Sequence, residues 1–117
     1  MPKTTIYHNP RCGKSRQTLS LLHEKGIDPN IVEYLKTPPT ANELDSILKK
    51  LNLTPEQVLR TKEPTFKTLN LKSGDSRSRK DWIKIMVQNP ILIERPIVIH
   101  GVKAALGRPP ENVLKIL

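Results

Sequence analysis

The segment His8-Asn9-Pro10-Arg11-Cys12-Gly13-Lys14-Ser15-Arg16 gathers what a reactive thiol requires. A thiolate is the nucleophilic form of cysteine, and its pKa falls at a helix N-terminus or beside cations. Helix-favouring residues begin at Ser15, so Cys12 falls where free backbone N–H groups favour an anion, whether the thiolate itself or an oxyanion bound beside it. Gly13 lets the backbone approach closely. Gly13, Lys14, Ser15 and Arg16 are therefore the candidate anion cradle, and Arg11 adds further positive charge. His8 stands four residues before the cysteine, close enough in a tight loop to stabilise the thiolate if protonated or hydrogen-bonded. The chemistry predicted is nucleophilic attack by the Cys12 thiolate at a site that favours an anion.

Competing readings of the same residues are weaker. Free cysteine is among the most buried residue types, so a structural core thiol is the main alternative, but an Arg-Cys-Gly setting after a strand makes a poor core position. A histidine that bonds only backbone would look the same as His8. Gly13-Lys14-Ser15 matches the end of a nucleotide-phosphate loop, yet the glycine required five positions earlier is His8. The Cys-x5-Arg signature of cysteine phosphatases fails at Thr18, and a Cys-x-x-Cys redox pair fails at Ser15. His23 and His100 have no partners at metal-ligand spacing, so no metal site is expected.

The rest of the composition sets the context. The chain has 117 residues, 36% hydrophobic and 26% charged, which is enough to bury one core without metal or disulfide staples. One domain over 1–117 is expected. A single cysteine cannot form an intramolecular disulfide and fits a reducing compartment, so a cytoplasmic protein is expected. No long apolar region follows the N-terminal residues, and runs such as Ile91 to Ile93 are far too short to span a bilayer, so neither export nor membrane insertion is expected. A net charge of +9 attracts anions. With one Trp, two Tyr and one Phe there are few platforms for stacking on bases, and nucleic acid is not the expected partner.

The elements that must position Cys12 can be read in order. Thr4 to Tyr7 is a short strand, Ser15 to Lys25 a helix with Leu19, Leu21 and Leu22 as its apolar face and Gly26 at its end, and Ile31 to Tyr34 a second strand. Together they make a βαβ unit, which requires parallel pairing. Thr40 and Glu43 form a capping box ahead of Leu44, Ile47, Leu48 and Leu51; Thr54, Pro55 and Gln57 repeat the logic for a shorter helix. Another short helix is predicted over Pro64 to Leu69, a surface loop over Lys72 to Ser78, and a helix carrying Trp82, Ile83, Ile85 and Met86 that ends near Asn89. Ile97 to Ile99 and Lys103 to Leu106 form a hairpin turning at His100-Gly101, and a final helix opens at Pro109-Pro110 with Val113, Leu114 and Leu117 facing the core. The fold class is therefore α/β: a βαβ half and a ββα half in one thioredoxin-like sheet, with a helical insert over about 40–89 between them. In that arrangement a cis proline precedes the third strand, and Pro96 is the candidate.

At this point the sequence resembles the glutaredoxin-dependent arsenate reductase family across essentially the whole chain. The likeness is carried by HNPRCGKSR, Tyr34-Leu35 with Pro38-Pro39, Val58-Leu59-Arg60, the run from Asn89 to Val98, and Gly107-Arg108-Pro109. The resemblance implies that Cys12 and His8 are catalytic and that Arg60, Arg95 and Arg108 bind the substrate. It further implies arsenate as substrate, glutathione as co-substrate and glutaredoxin as partner; no bound cofactor and a monomer are expected. A lone cysteine agrees with an outside thiol, because nothing in the chain can resolve a mixed disulfide on Cys12. The same fold includes redox-responsive regulators that bind RNA polymerase and typically sense through Cys-x-x-Cys; Ser15 and Arg108 favour the enzyme, while Arg79, Lys80 and Lys84 keep a binding module open. A glutathione-linked oxidoreductase acting on another substrate is the third possibility.

Overall fold

The computed structural model of the chain describes residues 3–117. It contains two compact units, one running to Thr37 and resuming over Arg95–Leu117, the other spanning Pro38–Glu94.

The first unit is built on a four-stranded sheet. Strand β1, Thr4–His8, alternates buried and half-buried residues, as β-branched residues with one face on a core should. It pairs in parallel with β2, Asn30–Glu33, and antiparallel with β3, Ile97–His100, which pairs antiparallel with β4, Lys103–Leu106, giving the order β2-β1-β3-β4. The parallel pair is bridged by α1, Gly13–Glu24, whose buried residues Ser15, Thr18 and Leu22 recur at helical spacing. Gly26 ends the helix at φ +75°, in the left-handed region, as expected of a glycine just past a helix end. Ile6, Leu22, Val98 and Val113 form the core, with Leu19, Ile27, Ala105 and Ile116 packed on it. This is the thioredoxin-like α/β arrangement that the order of elements implies, and the Arg95–Pro96 bond is cis. A second cis bond, Arg108–Pro109, has no counterpart among the sequence expectations.

Three readings need correction. His8 is not a loop residue; it is the last residue of β1, registered against Glu33. Tyr34 lies beyond β2 yet is buried. The final helix is a 3₁₀ segment, Pro110–Ile116, and this changes which residues turn inward. At three residues per turn Pro110, Val113 and Ile116 share a face, so Val113 is buried whereas Leu114 and Leu117 are exposed.

The second unit is helical. Both predicted capping boxes form: Thr40 and Glu43 open α2, Ala41–Leu51, and Thr54 and Gln57 open a 3₁₀ turn, Pro55–Val58. Short α3, Pro64–Thr68, precedes α4, Arg79–Gln88, which Ser78 caps at Asp81 N–H, and a 3₁₀ turn over Pro90–Leu92 follows. Leu44, Ile47, Leu48, Trp82, Ile83 and Met86 are the buried faces of α2 and α4. Arg79, one of the cations that suggested a basic binding face, pairs with Asp45 at 2.9 Å. Among the described residues no helix is long and apolar enough to cross a membrane.

Candidate active site

The turn between β1 and α1 is set by Asn9. Its carbonyl accepts the Cys12 N–H at 3.0 Å, its side-chain Oδ1 accepts the Arg11 N–H at 3.0 Å, and its own N–H donates to Ser15 Oγ at 3.0 Å. Sequence reading passed over this residue, although an Asn-Pro pair between a strand and a helix is a recognised turn signal. The result places Cys12 at the N-cap of α1, where its carbonyl receives the Arg16 N–H at 3.0 Å.

Cys12 is 8% exposed, so it is both buried and set at a helix start. Burial pushes the thiol pKa up, but the Ser15 and Lys14 N–H groups and the positive charges of Arg95 and Arg108 oppose it, and the balance falls below the ordinary thiol value. The helix start supplies fixed donors and two distant arginines supply charge, which are the two routes to an activated thiolate. Arg95 immediately precedes the cis proline before β3, and Arg108 follows β4 and donates from Nη1 to the Arg95 carbonyl at 3.3 Å. The hairpin therefore carries both guanidinium groups.

His8 is buried at the end of β1, with Nδ1 2.6 Å from Ser15 Oγ. Burial holds its pKa below the ordinary imidazole value; Glu33 raises it and Arg16 lowers it further. His8 is thus neutral near pH 7 and touches Ser15, whose N–H favours the Cys12 thiolate. Its link to the cysteine runs through the Ser15 hydroxyl rather than through a charge. Arg16 is also engaged locally, donating from Nη1 to the Pro10 carbonyl at 2.9 Å, so it clamps the loop. Lys14 accepts the Thr18 hydroxyl on its carbonyl at 2.8 Å.

One residue without an assigned role proves structural. A Cβ on Gly107 would overlap Thr18 Oγ1 and approach Pro96 Cγ to 2.7 Å, so the glycine lets the chain before Arg108 pass between α1 and the cis proline. Its N–H donates to the Pro96 carbonyl at 2.9 Å. Arg60 belongs to the unit Pro38–Glu94, where its N–H donates to the Leu92 carbonyl at 2.8 Å, its Nη1 to the Ile91 carbonyl at 3.1 Å, and its guanidinium lies 3.4 Å from Glu63. Among the described residues no group of three or more His, Cys, Asp or Glu could hold a metal ion.

Residues 7–116 match the model of the ArsC family. The chain is 52% identical over 113 residues to an arsenate reductase of Haemophilus influenzae, covering 96% of this chain and 97% of that protein. It is 50% identical over 113 residues to the uncharacterised protein YfgD of Escherichia coli, covering 96% and 94%. Among solved structures, the arsenate reductase of Vibrio cholerae superimposes with a TM-score of 0.93 at 45% identity, covering 99% of this chain and 98% of that one.

Proposed function

The chain belongs to the ArsC family, and on that premise we propose that it reduces arsenate to arsenite, with Cys12 as nucleophile, Arg95 and Arg108 as guanidinium ligands of the oxyanion, glutathione as reductant and glutaredoxin as the protein that clears the resulting mixed disulfide. The observation that carries this reading is a thiol with lowered pKa at a helix start, with two hairpin arginines adding positive charge. Guanidinium forks match the oxygens of a tetrahedral dianion and retain their charge at any working pH.

The Cys12 thiolate attacks arsenic and an arsenate oxygen leaves as water after protonation, which forms an S–As bond without change of oxidation state. Glutathione thiolate then attacks the Cys12 sulfur; the S–As bond breaks with its electron pair left on arsenic, so As(V) becomes As(III) while the two sulfurs are oxidised to a disulfide. A glutaredoxin thiolate takes the glutathione and returns Cys12. His8 is a positioning residue in this scheme, because it holds Ser15 rather than touching substrate. Ser15 is wholly buried, and its contact with His8 fits a support role better than that of a lost redox partner.

The test is arsenate-dependent NADPH consumption by the purified protein with glutathione, glutaredoxin and glutathione reductase, run beside Cys12→Ser. Turnover that disappears in the variant is expected. A native protein with no arsenate-dependent turnover refutes the assignment.

A further inference from the structure

The parallel register of β1 and β2 sets His8 opposite Glu33, so the chain leaves both strands at the same end of the sheet. The two departing segments, the cysteine loop and the stretch after β2, enclose a cleft of about 250 Å³. On the loop side it is lined by Asn9, Pro10 and Arg11; on the other by Glu33, Leu35 and Lys36. His8 also lines it and is its only buried member. The volume lies below the roughly 300–1,000 Å³ of clefts that enclose drug-sized molecules, so a short peptide held there stays partly in solvent.

The charges around the cleft define what it can hold. Arg11 supplies a cation next to Cys12 in the chain. Across from it, Lys36 Nζ and Glu33 Oε1 lie 3.6 Å apart on exposed side chains, a surface pair that contributes little to stability and is easily exchanged for ligand contacts. A ligand that satisfies all three needs a zwitterionic amino-acid head for Lys36 and Glu33 and a second carboxylate for Arg11. Leu35, 41% exposed, offers apolar contact to the body between these ends.

We propose that this cleft binds the reducing thiol, glutathione, with its γ-glutamyl head on Glu33 and Lys36 and its glycine carboxylate on Arg11. This inference rests on the reading of the chain as a glutathione-using reductase. A tripeptide held in this way has its central cysteine between the two anchors, beside the loop that carries Cys12, and binding converts a bimolecular attack into a positioned one. The chain has another cleft, lined by Lys3, Asp28, Asn30 and His100, but Thr4 and His100 belong to the far end of β1 and its antiparallel partner, remote from the cysteine loop.

The test uses S-methylglutathione, whose capped sulfur binds but cannot react, titrated into the ¹⁵N-labelled native protein. Saturable shifts are expected at the amides of Asn9, Arg11, Glu33 and Lys36, with affinity reduced about tenfold in Lys36→Glu and in Glu33→Lys, the loss of one charge-assisted contact each. In steady state the same variants should raise the KM for glutathione by a similar factor. If the native protein turns over arsenate but gives no saturable shifts, shifts confined to the Lys3–His100 cleft, or unchanged affinity in both variants, the cleft assignment is overturned and the proposed function stands. If it binds S-methylglutathione in the cleft but never turns over arsenate, the cleft is supported and the arsenate reading falls.

Discussion

Gly107→Ala isolates the steric logic behind the placement of Arg108. The new methyl would overlap Thr18 Oγ1, with Thr18 Cγ2 at 3.1 Å and Pro96 Cγ at 2.7 Å. None of these neighbours gives easily: Thr18 is fully buried with its hydroxyl tied to the Lys14 carbonyl at 2.8 Å, and a proline ring has no rotamer to change. Overpacking by one methylene or methyl costs about 1–3 kcal/mol, whereas Gly→Ala at an ordinary φ recovers about 0.4–1 kcal/mol by restricting the unfolded chain. The net expectation is a loss of about 1–2 kcal/mol, which lowers the melting temperature of a domain this size by roughly 4–8 °C. Thermal and urea unfolding measure it, and Thr18→Ala supplies the control. Because Thr18→Ala removes both overlapping atoms on that side, the double variant should be more stable than the sum of the single losses by about 1 kcal/mol. Gly107→Ala should also raise the Cys12 pKa, because displacing the hairpin moves the Arg108 charge. A variant as stable as the native protein, with an unchanged thiol titration, would falsify the wedge argument.

The thiol itself provides a second prediction: ultraviolet titration of the thiolate should give a pKa below that of free cysteine, and Arg95→Ala or Arg108→Ala should each raise it while cutting arsenate turnover by about 10²-fold. Titrations that coincide with native would remove both arginines from the site. His8 links stability to pH. Its folded pKa lies below the ordinary imidazole value, so the unfolded chain binds the extra proton first; its contribution to stability is complete above about pH 6.5 and is lost as pH falls toward the folded pKa. Urea midpoints of native protein and His8→Gln should therefore converge as pH drops from 7 through that window, and a gap that widens would contradict a neutral, buried His8.

Much of this molecule is encoded within a few residues of where it appears. Asn9-Pro10 turns the chain, Thr40 and Glu43 satisfy each other's backbone N–H groups, Gly26 accepts a left-handed φ, and Cys12 meets the first free N–H groups of α1, all through interactions closed over short separations. Such signals survive in sequence because propensity and capping act locally. Pro96 was also legible, since a proline entering the third strand has a fixed place in this arrangement of elements. The last segment was not. Leu114 and Leu117 satisfy an α-helical pattern on paper, but between β4 and α1 a 3₁₀ winding buries Val113 with Ile116 partly buried instead.

The sequence by itself determined that Cys12 is the lone thiol of the chain, that it stands at a helix start, and that cations surround it in the sequence. Tertiary structure alone decided which cations matter to it. Arg16 turns back on Pro10, whereas Arg95 and Arg108 come from a hairpin more than eighty positions away. The same closure gave His8 to Ser15 and drew Gly107 against Thr18 and Pro96. Proximity along the chain fixes the backbone donors that meet a thiolate, but proximity in space, which only the paired sheet creates, fixes the charges that stabilise it.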